Sequence, residues 1–268
     1  MLRNGKQTWR LIIDKTPLPG SFNMAVDDYL LNSLADSPQT FIRFYRWKRP
    51  TVSLGYSQRL HKVADVDFCQ QNGIDIVRRM TGGKLVLHHK EVTYSICSSD
   101  SQTFPPTVGD SYKLVSEALI RGLEKMGLEP YLAVAAPAVY ARGNLPCFSY
   151  PARNEIEIMG KKIIGSAQKR VGLRFIQHGS IPLESEDNLL RSVSRLKTDQ
   201  KVIRLISLSE ALGKKVDFNW VVEKLTIGFS EYFGISFQPK YFTKEEMKKI
   251  LKIEKERYTH HTWTFLRE

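Results

Sequence analysis

The chain has 268 residues, of which 42% are apolar and 25% charged, and its formal net charge is +12. This composition suits one large globular domain or two modest ones, and no apolar run approaches the ~20 residues that span a bilayer. Three irregularly spaced cysteines form neither a disulfide framework nor a zinc-ligand pattern, and the N-terminus has no apolar signal segment. We therefore predict a cytoplasmic protein without a metal site or a membrane partner.

The excess of positive charge is compatible with nucleic acid, an anionic membrane surface or acidic proteins as partners. The sequence contains no helix-turn-helix, zinc-finger or aromatic-rich ribonucleoprotein signature. We expect no nucleic-acid partner, and recruitment of an acidic protein explains the charge equally well.

The first part of the chain predicts strands around one amphipathic helix. A strand is expected at residues 8–14, and Ser21–Leu31 follows helical spacing with Ser21 or Asn23 as its cap. Further strands are expected at Thr40–Tyr45, Thr51–Tyr56 and Ile74–Arg78. The segments Lys84–His89 and Glu91–Cys97 resemble the two strands of a hairpin.

The second part predicts a long helix, further strands and then mainly helices. The helix runs from about Ser111 to Met126, and strands are expected at 131–141, 154–160 and 173–182. Later helices are expected at Leu189–Arg195, Ser207–Leu212, Trp220–Phe233 and Lys244–Lys255, the last one charged and solvated. The simplest account is a single α+β domain over residues 1–268, with a helical C-terminal portion from about residue 184.

A first candidate site is the segment from Arg78 to His89. The Gly82-Gly83 pair lets the backbone approach a ligand and lets N–H groups converge on an anion, and Arg78 and Arg79 could bind phosphate or carboxylate. The segment is neither a Walker loop nor a dinucleotide fingerprint. Taken alone, it is better explained as an ordinary turn with solvated arginines, and His88 as a core histidine.

The second candidate is the pair formed by Cys147 and one of two lysines. A thiol attacks carbonyl carbon as the thiolate, which a nearby ammonium stabilises, so this pair suggests acyl transfer through a cysteine thioester. If Ile163-Ile164 continue a strand, either Lys161 or Lys162 faces inward, where lost hydration should lower its pKa. The alternatives are a buried, inert cysteine and two turn lysines in water.

A third candidate is Gln177–Pro182, in which backbone groups of Gly179 and Ser180 could receive a carbonyl oxygen; the alternative is a plain hairpin turn. The order of all these motifs, with Gly-Lys-Lys-Ile-Ile-Gly-Ser-Ala-Gln at 160–168, resembles the biotin/lipoate protein ligase and octanoyltransferase family. Within it, the chain is most similar to the cysteine-dependent octanoyl-[acyl-carrier-protein]:protein N-octanoyltransferases.

The resemblance implies an α+β catalytic domain of the class II synthetase type, with a mixed, largely antiparallel sheet and flanking helices. It implies Cys147 and Lys162 as catalytic residues, with Lys162 favoured over Lys161 by its position before Ile163-Ile164-Gly165. The implied substrate-binding residues are Arg79, Thr81, Gly82, Gly83, Lys84, His88, Gly165, Ser166, Ala167, His178, Gly179 and Ser180.

The resemblance also implies a reaction. The acyl chain of octanoyl-acyl carrier protein would enter an apolar tunnel beside the Gly82-Gly83 loop and pass to Cys147. A lysine amine of an acidic lipoyl-domain or glycine-cleavage H-type acceptor protein would then take it. Lys162 would lower the Cys147 pKa, and backbone N–H groups near Gly165–Ala167 or His178-Gly179 would hold the oxyanion. Neither ATP nor another cofactor is required.

The principal alternative is a lipoate–protein ligase that adenylates free lipoate with ATP and Mg²⁺. Lys84 replaces the third glycine usual in such ligases, and His88-His89 replaces their His-Asp, although Arg153-Asn-Glu-Ile resembles a ligase pattern. An amidotransferase that moves octanoyl between carrier domains matches less well. A non-catalytic module that binds an acyl group or a carrier protein is a further alternative.

Overall fold

The computed structural model of the protein describes residues 7–133, 154–195 and 205–267. Cys147 therefore lies outside the described residues, as does most of the strand predicted at 131–141. No helix in the described part of the chain is long and apolar enough to cross a membrane.

In the described ranges, eight strands form the larger of two sheets. They are β1 (Thr8–Ile13), β2 (Thr40–Tyr45), β6 (Glu91–Ser98), β7 (Tyr131–Leu132), β8 (Ile156–Ile158), β9 (Lys161–Val171), β10 (Arg174–Pro182) and β11 (Ser236–Pro239). Their order is β11-β1-β2-β6-β10-β9-β8-β7. β1 runs parallel to β2 and β11, and the other neighbours are antiparallel. The predicted mixed, largely antiparallel sheet is confirmed.

The smaller sheet contains β3 (Thr51–Leu54), β4 (Asp75–Arg78) and β5 (Val86–His88), in the order β4-β3-β5. The predicted hairpin is therefore wrong, because β5 pairs with β3 whereas β6 pairs with β2 and β10. The chain bends between the two sheets at Lys90, whose φ of 37° is left-handed and whose carbonyl accepts hydrogen bonds from Leu183 and Glu184. A short connection can thus separate two adjacent strands into different sheets.

Helices pack against both sheets, and those at residues 60–71 and 187–193 share a core with the smaller sheet. The helices are α1 (Gly20–Ser33), α2 (Leu60–Val63), α3 (Val66–Gln71), α4 (Val108–Glu124), α5 (Asp187–Val193), α6 (Leu208–Leu212), α7 (Phe218–Phe233), α8 (Lys244–Ile253) and α9 (His261–Thr264), with a π-helical turn at Glu254–Tyr258. α4 packs on α7 over one core, whereas α1 packs on α8 over a second core.

Alternation along the central strands separates these two cores. In β2, Ile42 and Phe44 join the α4/α7 core, whereas Phe41 and Tyr45 join the α1 core. Arg43 shares the face of Phe41 and Tyr45, and in β6 the polar residues Glu91, Thr93 and Ser95 alternate with apolar ones. The face of the sheet toward α1 therefore carries buried polar groups.

Three local predictions need correction. Neither Ser21 nor Asn23 caps α1, because the helix begins at Gly20 after Pro19, and the Asn23 amide instead donates to the carbonyl of Arg46 at 3.1 Å. The C-terminal helix α8 is not simply solvated, since Ile250 is buried against α1. The part beyond residue 184 also contributes the edge strand β11.

Candidate active site

A cavity lies between the α1 face of the large sheet and the smaller sheet, and together with the open solvent at its mouth it encloses about 380 Å³. Its lining residues are Met24, Tyr45, Trp47, Ser53, Arg79, Val86, His88, Thr93, Gly165, Ser166, Ala167, His178, Gly179 and Ser180. Eight of the predicted substrate-binding residues are among them, namely Arg79, His88, Gly165, Ser166, Ala167, His178, Gly179 and Ser180. Most of the surface exposed to the cavity is apolar, with a few polar groups among it.

Arg79 holds the loop that borders this cavity. The residue is 4% exposed, and its guanidinium donates to the carbonyls of Ser53 (2.9 Å), Gly82 (2.9 Å) and Lys84 (2.7 Å). The expected solvated arginine is therefore wrong for this position. Gly82, Gly83 and Lys84 do not line the cavity themselves, and they take their position from these hydrogen bonds.

The Gly82-Gly83 turn packs directly on Gly55. A Cβ atom at position 55 would lie 2.0 Å from the Gly83 carbonyl oxygen, and Gly83 has a φ of 93°, which favours glycine. Close packing of two backbone segments, together with the left-handed φ of Gly83, thus explains why positions 55 and 83 are glycine.

Arg78 has a structural role instead of the predicted anion-binding one. It is fully buried, and its nitrogens donate to the carbonyls of Gly55, Tyr56, Gln58, Trp263 and Thr264. Burial, and then the charge of Arg267, lowers the pKa of the guanidinium. Arg78 therefore ties the C-terminal segment to the cavity loop and has no donor directed at a ligand.

His178 connects the cavity to a buried chain of charges. Its Nδ1 lies 3.0 Å from a carboxylate oxygen of Asp27, and its Nε2 lies 2.7 Å from Thr81 Oγ1. Asp27 accepts from Arg43 at 3.1 Å and from Ser95 at 2.9 Å. Thr81 therefore does not line the cavity itself but helps to orient His178, which does.

Burial and neighbouring charges determine the protonation states of His178 and Asp27. It lowers the pKa of His178, and this outweighs the opposite effect of Asp27. Burial alone would raise the pKa of Asp27, but the hydrogen bond with His178 and the charge of Arg43 lower it overall. A neutral imidazole beside an ionised Asp27 donates from Nδ1, so its Nε2 accepts from the Thr81 hydroxyl.

His88 is held by a second set of contacts on the opposite wall. Its Nε2 lies 2.7 Å from Ser53 Oγ and its Nδ1 lies 2.8 Å from Glu91. The ring stacks on Trp47 with centroids 4.0 Å apart, and Ser180 donates to Glu91 at 2.6 Å. Both histidines therefore present rings of fixed orientation to the cavity.

Lys162 faces inward, as interpreted, whereas Lys161 is exposed. Its side chain has no exposed surface, and Nζ lies 2.7 Å from a carboxylate oxygen of Glu155. The sequence indicated apolar neighbours but missed this carboxylate. Lys162 is not a lining residue of the cavity, which begins at Gly165, three positions further along β9.

The strand pairing around β9 decides which backbone groups are available. β10 pairs with β9 on one side and with β6 on the other, so the N–H groups of His178 and Gly179 lie inside two ladders. β8 pairs with β9 only as far as Ile164. Within the described residues, β9 from Gly165 onward therefore has one open edge, toward which alternate N–H groups point.

Two of the three cysteines lie in the described part of the chain, and both are buried. Burial raises the pKa of Cys69 to about 11 and raises the pKa of Cys97 well above its ordinary value. Neither thiol is thus a thiolate near neutral pH.

The most important residues that were not predicted are Asp27, Arg43 and Glu155. Arg43 stands in the apolar strand Thr-Phe-Ile-Arg-Phe-Tyr, and Asp27 occupies the apolar helix α1. A charge within such a segment indicates a buried counter-ion, because an unpaired buried charge is costly. That signal could have identified the Asp27–Arg43 pair, although it could not have matched the partners.

Comparison with known proteins decides the family. The family described as the lipoyl protein ligase A/B catalytic domain matches residues 19–230. The chain belongs to this family. Octanoyltransferase LipM from Bacillus cereus is 36% identical, over 97% of this chain and 99% of that protein. The protein of the same name from Kyrpidia tusciae is 38% identical, over 90% and 92%.

Solved structures give the same fold. A bipartite lipoate protein ligase from Thermoplasma acidophilum, studied with its E2 lipoyl domain, superposes with a TM-score of 0.82 at 22% identity, covering 98% of each chain. A lipoate-protein ligase A bound with ATP also gives 0.82, at 23% identity, over 97% of this chain and 99% of that chain. The predicted family and fold class are therefore confirmed.

Proposed function

We propose that the chain is an octanoyltransferase that moves an octanoyl group from octanoyl-acyl carrier protein to a lysine amine of a lipoyl-type acceptor protein. The observation that carries this proposal is its 36% identity to a protein named octanoyltransferase over nearly the full length of both chains. The acceptor is a lipoyl domain or a protein of the glycine-cleavage H type.

The reaction proceeds in two acyl transfers through Cys147. The thiolate attacks the thioester carbonyl, a new sulfur–carbon bond forms, and the phosphopantetheine thiol leaves with a proton. The acceptor amine then attacks acyl-Cys147, an amide bond forms, and the Cys147 sulfur leaves as the amine loses a proton. The thioester supplies the driving force, so no nucleotide is consumed.

Lys162 carries protons between these steps. A buried ammonium favours a nearby thiolate, and the carboxylate of Glu155, 2.7 Å away, stabilises the charged form of the lysine. Raised pKa values for Cys69 and Cys97 support Cys147 as the nucleophile among the three cysteines.

The cavity holds the acyl chain, and the open edge of β9 holds the developing oxyanion. Met24, Val86 and Ala167 supply apolar wall, while N–H groups of Gly165–Ala167 that point away from β10 are free of the β8 ladder. These donors suit the oxyanion better than His178 and Gly179, whose backbone lies between two paired strands.

The test is octanoylation of a lipoyl domain in the absence of ATP. With octanoyl-acyl carrier protein as donor, we expect the acceptor to gain one octanoyl group by mass spectrometry. An acceptor in which the target lysine is replaced by arginine should remain unmodified. Modification that requires ATP, Mg²⁺ and a free fatty acid would instead identify a ligase and contradict the proposal.

A further inference from the structure

A recess rich in positive charge lies on the far side of Trp47 from the cavity. Together with the open solvent at its mouth it encloses about 740 Å³, and its lining includes Arg46, Lys48, Arg49 and Lys90, with Phe218 as an aromatic wall. Trp47 lines both the recess and the cavity. Its indole N–H donates to Thr93 at 2.7 Å, which fixes the ring between the two spaces.

Most of this charge is not neutralised by carboxylates. Lys90 pairs with Glu184 at 2.9 Å and with Glu186 at 3.0 Å. Arg46, Lys48 and Arg49 form no ion pair with the described carboxylates. Glu91 also lines the recess, but it is 4% exposed, and its carboxylate accepts from Ser180.

The Arg46 side chain is held in place by two contacts, whereas its Nε–H donates no hydrogen bond to the described residues. Its guanidinium lies over the Phe218 ring at 4.4 Å and donates to the carbonyl of Lys15 at 2.8 Å. Its Nε is shielded from solvent and has no acceptor within the described part of the chain. The contacts with Phe218 and Lys15 give the Arg46 charge a fixed position in the lining of the recess, where it can attract an anionic group.

We infer that this recess docks the acyl donor, an acidic protein that carries its acyl group on a phosphate-linked arm. The inference rests on the proposed function and names the surface for one of its two protein partners. A phosphodiester and surface carboxylates suit three cations that have no counter-ion among the described residues. The acceptor protein is acidic as well, but it carries no phosphodiester, and this group favours the donor as the occupant of the recess.

Equilibrium binding of labelled carrier protein to this chain tests the inference without any catalytic step. The test variant is the double charge reversal Lys48→Glu with Arg49→Glu, since both side chains are exposed. The matched control is Lys248→Glu with Lys252→Glu on the exposed side of α8, where the side chains are 73% and 72% exposed. Each pair lowers the formal net charge by four from +12, so overall charge is held equal.

At low salt we expect K48E/R49E to weaken binding of the holo carrier protein by about tenfold or more, and K248E/K252E to weaken it much less. High salt should remove the difference. The holo form should bind more tightly than the apo form, which lacks the phosphate-linked arm.

Equal weakening by both pairs, or no measurable binding by the wild-type chain at low salt, would overturn the inference. So would a K48E/R49E effect on lipoyl-domain binding as large as that on the carrier protein. Failure of octanoyl transfer would instead count against the proposed function, so the two proposals fail separately.

Discussion

The buried pair of Lys162 and Glu155 is the residue-level feature with the clearest consequence for mechanism. The lysine has no exposed surface and the carboxylate is 4% exposed. Removing one partner of such a pair leaves an uncompensated charge and costs about 3–5 kcal/mol of stability. Deletion of the lysine alone would therefore confuse loss of folding with loss of chemistry.

Lys162→Arg separates these effects. The guanidinium keeps the positive charge beside Glu155 but does not release a proton near neutral pH, so it cannot serve as an acid or base. We expect octanoyl transfer to fall by about a hundredfold or more while the protein remains folded by circular dichroism.

A second variant guards against overpacking by the larger side chain. The double change Lys162→Met with Glu155→Gln removes both charges, so we expect it to fold and to be inactive. Wild-type turnover in either variant would assign Lys162 a purely structural role.

His178 predicts a dependence of stability on pH. Burial lowers its pKa from the ordinary value of 6.5, so between the folded and unfolded pKa values the unfolded chain binds more protons. Its contribution to stability is fully present above about pH 6.5 and is lost as pH falls below that value. One proton accounts for at most about 1.4 kcal/mol per pH unit.

Urea unfolding between pH 7.5 and 5.5 measures this slope. We expect the slope to be smaller in His178→Gln than in the wild-type chain, whereas His260→Gln, at an exposed histidine, should leave it unchanged. Equal slopes in all three proteins would show that His178 does not titrate as its burial implies.

For single residues, the sequence predicted which side chains belong to the site better than it predicted what those side chains contact. Lys162, His88 and His178 were recognised from motif order, because each stands at a fixed place in a local segment. Glu155, Asp27 and Ser53 were missed, because their importance comes from partners on other elements. Arg78 was misinterpreted, since backbone carbonyls of distant residues bind its guanidinium and no local pattern encodes them.

At the scale of elements, α4 and α7 pack through facing glycines. A Cβ atom at Gly228 would lie 2.3 Å from the Gly122 backbone nitrogen, and one at Gly122 would lie 2.9 Å from Leu225 Cα. The two helices therefore approach until their backbones touch. This contact forms the layer behind the α4/α7 face of the sheet.

Gly228→Ala should therefore push α7 away from α4 and destabilise the protein by about 1–3 kcal/mol. Gly109→Ala in the first turn of α4 has no neighbour within 4 Å of the added Cβ, and it should be neutral or stabilising by up to about 1 kcal/mol. Thermal or urea unfolding compares them. A Gly228→Ala variant as stable as Gly109→Ala would show that the helices adjust without cost.

Element identity was largely predictable, whereas pairing was not. The alternation of polar and apolar residues in β6 predicted a strand, and the long amphipathic segment of α7 predicted a helix. The assignment of β5 and β6 to different sheets depends on the left-handed Lys90 and on its contacts with residues 183 and 184, which are distant in sequence. Likewise, β11 has only four residues and joins β1, more than two hundred positions away.

At the scale of the whole molecule, the two faces of the large sheet have different roles. One face carries the larger apolar core under α4 and α7, and the other carries buried polar groups, the cavity and α1. Polar groups on one face can be held rigid because the opposite face supplies the apolar burial. Positive charge is concentrated beside the cavity in the recess around Arg46, where a charged partner would bring a substrate close to it.

Covalent attachment of the acyl group to Cys147 is the central step of the proposed mechanism, and intact mass spectrometry after mixing with octanoyl-acyl carrier protein without ATP tests it directly. We predict a gain of about 126 Da, the mass of one octanoyl group less the displaced hydrogen. The gain should persist in Cys69→Ala and disappear in Cys147→Ser. An unmodified wild-type chain, or an adduct that survives Cys147→Ser, would contradict the account.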